Sequence, residues 1–130
     1  MMIEKIKNII ADIVLLICLI PLLSLLITGI ITHKPTIFGY RPFFILTESM
    51  IPTIPVHSVV IGKPIDPDDI QIGDIVSYKN HVTIIHRVID ITDEGFAFKG
   101  DNNPNPDREV ITSDQIGYKI IKILGKDDGL

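Results

Sequence analysis

Hydrophobic residues are distributed along this chain in two different ways, and the change between them divides it. Residues 13–31 are nineteen consecutive positions without a charge, dominated by Leu and Ile. As a helix that run extends roughly 28 Å, close to the ~30 Å hydrocarbon thickness of a bilayer. Pro21, Ser24, Thr28 and Gly29 lie within it. Such residues are tolerated in lipid, where Ser and Thr hydroxyls bond back to the backbone. A cleaved secretory leader has a shorter apolar stretch, roughly 7–15 residues, ending in a small-residue site. Ile30-Ile31-Thr32-His33-Lys34 offers no such site. The pattern predicts one uncleaved membrane-spanning helix, preceded by a short N-terminal segment over residues 1–12.

Residues 32–42 read as a connector, broken by Pro35, Gly39 and Pro42. Beyond it the apolar residues come in short β-branched and aromatic runs, at 43–47, 56–61, 74–78, 82–91, 96–99 and 116–124. Gly, Asn and Asp separate them, which predicts a small, mainly β domain over residues 43–130. Asp66-Pro67-Asp68-Asp69-Ile70 reads as a capped helical turn, with Asp66 as the cap. Alternation in the run 82–91 puts Val82, Ile84, His86 and Val88 on one face and Thr83, Ile85, Arg87 and Ile89 on the other. Both faces are largely apolar, as in a central strand, so His86 needs a hydrogen-bonding partner. A backbone group is the ordinary one.

Composition narrows the classes. A chain of 130 residues holds one small domain and an anchor. Residues 1–12 carry two acids and two bases, so the net charge of −4 belongs to the part after the apolar run. No basic cluster points to nucleic acid. Lys5 and Lys7 before the run balance Lys34 and Arg41 after it, so charge does not choose an orientation. Cys18 is the single cysteine, which excludes a disulfide within the chain and leaves the β domain compatible with either redox compartment.

Three groups could carry chemistry. Ser49 follows a predicted strand and precedes Met50-Ile51-Pro52, where the proline bends the chain and can expose a hydroxyl. Serine is a common turn residue, and it becomes a nucleophile only beside a base. His86 is the histidine on the central strand. Asp101 and Asp107 lie in the Asn- and Pro-rich loop Gly100-Asp101-Asn102-Asn103-Pro104-Asn105-Pro106-Asp107. One of them could orient an imidazole; the ordinary reading is a turn capped by its own side chains. Asp101, Asn103 and Asn105 start like a calcium loop, but Pro106 and Thr112 stand where that loop needs Gly and Glu. His81 and His86 are five apart on a strand and face opposite ways. No metal or cofactor is expected.

Thr47-Glu48-Ser49-Met50-Ile51-Pro52-Thr53, Gly73-Asp74-Ile75-Val76, His86-Arg87-Val88-Ile89 and Lys99-Gly100-Asp101-Asn102-Asn103 with Asp107-Arg108 resemble, in order, the boxes of type I signal peptidases. The resemblance covers residues 43–124, and the apolar run sits where that family places its anchor. It is similar to the endoplasmic-reticulum and archaeal branch, which has His where the usual bacterial branch has a general-base Lys. Glu48 stands where many members of that branch have Gly. The resemblance implies a membrane-bound serine endopeptidase that removes signal peptides from exported pre-proteins. Ser49 would be the nucleophile, His86 the general base and Asp107 its orienting acid, with Asp101 in support and the Thr47 hydroxyl beside the oxyanion hole. It also implies a cytoplasmic N-terminus and an extracytoplasmic catalytic domain at the bilayer, and leaves accessory subunits open.

Met50, Ile51 and Ile54 flank the nucleophile and are candidate contacts with lipid or substrate; the alternative is that they cap a small core. Two other functions compete. One is a self-cleaving repressor of the LexA type, which needs a Lys base and a DNA-binding region. The other is a catalytically inactive, membrane-anchored β-module that binds a partner.

Overall fold

A computed structural model describes residues 1–33 and 36–125, in two compact units that meet between Gly39 and Tyr40. Lys34 and Pro35 of the expected connector, and residues 126–130, lie outside the described residues. In the first unit a single helix, α1, spans Met2–Thr32 and buries none of its side chains. At 31 residues it rises about 46 Å, more than a bilayer core requires, so its charged first turns extend beyond the apolar part. It is long and apolar enough to cross a membrane. Thr28 and Thr32 hydroxyls donate to the Ser24 and Thr28 carbonyls at 2.8 and 2.7 Å, which satisfies polar groups within the helix. Beyond α1 the chain folds back, and the Thr36 and Phe38 N–H groups donate to the Thr28 and Ser24 hydroxyls.

The second unit is one antiparallel sheet of six strands: β1 Arg41–Phe44, β2 Val59–Pro64, β3 Ile75–Asn80, β4 Val82–Thr92, β5 Gly95–Lys99 and β6 Ile116–Leu124. Their order across the sheet is β1-β2-β6-β3-β4-β5. The last strand in sequence therefore lies between the first two and the following three. Residues 43–130 were expected to be mainly β, and the described part is. The turn at Pro67–Asp69 is a single 3₁₀ turn in which the Asp68 N–H donates to the Asp66 carboxylate and the Asp69 N–H to the Asp66 carbonyl.

The sheet is packed on both faces. Ile70, Val76, Tyr78, Val88, Phe96, Phe98 and Ile111 form one cluster, with Ile84 against it. Ile45, Met50, Ile54 and Val60 form the other, with Ile75 and Ile85 against it. Alternation explains the division, since Ile84 and Val88 face one cluster and Ile85 the other.

The strands differ from the hydrophobic runs most clearly at β1 and β2. β1 ends at Phe44 rather than 47, because Ile45 is the last residue tied back, through its contacts with His57 and Ser58. β2 starts at Val59 rather than 56, because Val56-His57-Ser58 turns, with His57 at φ 65° and the Ser58 hydroxyl on the Pro55 carbonyl. Arg41 and Pro42, read as connector, belong to β1.

Candidate active site

Ser49 lies in the turn between β1 and β2, and two forces fix that turn. From below, Met50 and Ile54 are 2% and 0% exposed in the second cluster. They are core residues, which corrects the expectation that they face lipid or substrate: the side chains point inward and hold the turn down. Ile51 is only half-buried. From above, the loop after β5 grips the backbone at the serine. Asn102 N–H donates to the Ser49 carbonyl at 2.8 Å, and its side-chain amide donates to the Glu48 carbonyl at 3.1 Å. Gly100 permits this approach, since a Cβ there would lie 2.7 Å from the Ser49 carbonyl oxygen. The Glu48 side chain is exposed to water.

β4 carries His86 to Ser49. The imidazole is 8% exposed, with Nε2 at 3.1 Å from the Ser49 hydroxyl oxygen and Nδ1 at 2.7 Å from Asp107 Oδ2. The carboxylate can only accept, so Nδ1 carries the proton and the Nε2 lone pair faces the serine hydroxyl. Asp107 is anchored through its own N–H to the Phe98 carbonyl at 2.8 Å. Residues 37 and 21 positions from His86 thus meet on its two ring nitrogens. That arrangement can activate a hydroxyl and stabilise the imidazolium that forms. The Thr47 hydroxyl oxygen is 3.2 Å from that of Ser49.

Asp101 faces elsewhere. Arg87 Nε and Nη2 donate to its two oxygens at 2.8 and 2.7 Å, the Thr53 hydroxyl donates at 2.5 Å, and Arg87 Nη1 reaches the Gly73 carbonyl. Hydrogen bonds from Arg87 are the main reason its carboxyl lies below the usual range, helped by Thr53 and opposed by partial burial. The same pairing raises the Arg87 guanidinium above its ordinary value. This node joins β4, the serine turn and the loop. It touches neither ring nitrogen of His86.

An apolar groove of about 510 Å³ runs past the serine, between residues 43–47 and residues 82–86, with Asn103 at its end. Phe44, Leu46 and Val82 line it and are strongly exposed. β5 pairs with β4 only from Arg87 onward, so the outer edge of β4 along the groove has no strand against it among the described residues. An extended peptide fits such an edge by backbone pairing.

Sequence reasoning missed three contacts: Asn102 on the serine backbone, Arg87 on Asp101, and Tyr78 on Asp107. Asn102 and Arg87 stood inside the boxes that carry the resemblance, without an assigned role. Tyr78 read only as the last residue of the strand-like run 74–78.

Comparison with known proteins gave one informative likeness. No family model matches the chain, and no solved structure does. The chain is 29% identical over 120 residues to signal peptidase I W of Bacillus subtilis (strain 168), across 87% of its own length and 63% of that protein's. It therefore spans less than two thirds of that relative.

Proposed function

We propose that the chain is a membrane-tethered serine endopeptidase that removes signal peptides from exported pre-proteins, of the kind that uses His rather than Lys as base. The observation that carries this reading is the Ser49–His86–Asp107 relay, with 3.1 and 2.7 Å links on opposite nitrogens of one imidazole. The likeness to signal peptidase I W, the apolar helix and the apolar groove support it.

The Ser49 hydroxyl attacks the scissile carbonyl while its proton passes to His86 Nε2. Asp107 holds the imidazolium through Nδ1–H. The Ser49 backbone N–H and the Thr47 hydroxyl donate to the oxyanion. His86 then gives the proton to the leaving amine, which frees the mature chain and leaves the signal peptide as an ester on Ser49. Water, deprotonated by His86, hydrolyses that ester. Asp101 acts through structure, by tying the loop that holds Asp107 to β4. The substrate's extended residues would lie along residues 82–86, with small side chains at positions −1 and −3, as the resemblance implies. The N-terminus would be cytoplasmic and the catalytic unit outside.

Membranes carrying the full chain, incubated with a pre-protein, test the reading. Ser49→Ala and His86→Ala should each lower the cleavage rate by about 10⁴-fold or more, because the pair acts as a unit. Near-normal processing by either variant overturns the proposal.

A further inference from the structure

Asp107 holds His86 through one carboxylate oxygen, and that oxygen has a second donor. The Tyr78 hydroxyl donates to Oδ2 at 2.6 Å, beside the His86 contact at 2.7 Å. Tyr78 is 2% exposed on β3, with its ring against Phe98 at 4.5 Å between centroids and edge-on to His86 at 6.4 Å. We propose that Tyr78 is a positioning residue for the reaction: its hydroxyl fixes the Asp107 carboxylate and thereby sets the aim of His86 at Ser49. This rests on the Ser49/His86 reading above.

Geometry supports this role. The Asp107 backbone is tied to β5 through the Phe98 carbonyl, which leaves the side-chain torsions free. Tyr78 removes that freedom from the opposite side, because its ring is held in the core and its oxygen cannot follow a turning carboxylate. The carboxylate is thus aimed by two strands, β3 and β5, at a histidine on the one between them in sequence.

The phenol remains a donor throughout. Burial, the Asp107 hydrogen bond and the Asp107 and Glu109 charges all raise the Tyr78 hydroxyl far above its usual value. Other groups around the imidazole are accounted for. Ser49 faces Nε2, Glu109 is hydrogen-bonded by Asn80, and Arg108 lines the same cavity as Asp107. Arg87 and Asp101 neutralise each other.

Tyr78→Phe keeps the ring and deletes the hydroxyl. In the full chain, kcat should fall about tenfold while KM for a pre-protein stays within about twofold, because aim is lost and not binding. The NMR signal of the His86 Nδ1 proton, which reports its hydrogen bond to Asp107, should move and broaden. Ile111→Val, a small deletion in the same cluster, serves as the packing control. It should lower the melting temperature and leave kcat and that signal in place. Wild-type kcat in Tyr78→Phe overturns the proposal, and so does a rate loss with the Nδ1 proton signal unmoved. Activity surviving in Ser49→Ala is the separate sign that the site reading itself has failed, and the Nδ1 proton signal tests Tyr78 in either case.

Discussion

At the scale of single residues, the contacts at position 86 suit an imidazole, which meets Ser49 and Asp107 through opposite nitrogens. A lysine ammonium at position 86 would meet the Asp107 carboxylate that now lies 2.7 Å from Nδ1. That partner favours the charged form, and a charged amine cannot take the serine proton. His86→Lys should therefore be inactive in the membrane assay, and substantial cleavage by it would contradict the assigned role of Asp107. Asp107→Asn is the sharper substitution. Its amide oxygen, in the place of Oδ2, can still accept from both Tyr78 and His86 Nδ1. Being neutral, it cannot stabilise the imidazolium that forms when His86 takes the serine proton. Cleavage should fall by on the order of 10²–10⁴-fold with the melting curve unchanged. Full activity would remove Asp107 from the relay.

At the scale of elements, the serine turn and the loop after β5 behave as one piece. Met50 and Ile54 anchor the turn in the second cluster. Ile54→Ala should then cost about 2–4 kcal/mol in unfolding free energy, measured by denaturation, whereas a lipid-facing residue would cost almost nothing. Arg87–Asp101 is the second anchor, and it has a pH signature. The Asp101 carboxyl is held below its ordinary value, mainly by Arg87. Its contribution is complete above the unfolded value of about 4, and is lost as pH falls through the lower folded value. Asp101→Asn should melt below wild type at neutral pH, with the gap closing under pH about 4. A gap independent of pH would mean that the ion pair does not hold the loop.

How much of this was legible depended on where the partner lies. Strand β6 and the Asp66 turn read correctly because their signals are local: a long β-branched run, and an Asp-Pro pair. Ser49, His86 and Asp107 stood out only as an ordered set, each being ordinary alone. Tyr78 gave no sign, since its partner is 29 residues away and alternation marks it as core whether or not its hydroxyl is used. Met50 and Ile54 were ambiguous because apolar residues beside a turn suit a core and a membrane equally. The early start assigned to β2 failed at His57, whose positive φ no hydrophobic pattern reveals.

At the scale of the whole molecule, the helix and the sheet unit make separate demands. Cys18 lies within α1 and is exposed on its surface. In membranes a water-soluble maleimide should label it slowly, and rapidly once detergent or denaturant opens the bilayer. Equal labelling in both states would argue that α1 does not span.

The strand order carries a consequence in time. Among the described residues, strand pairing joins β1 and β2, which flank the serine turn, to β3, β4 and β5, which carry the histidine and its loop, only through β6. Of the six strands, β6 is made last. A growing chain that has delivered Ser49, His86 and Asp107 still lacks the strand that brings their two halves into register. A chain stopped before Ile116 should therefore be inactive although it contains the whole proposed relay. On the proposed reading, synthesis itself is the safety catch, and the nascent protease stays disarmed until β6 has been made.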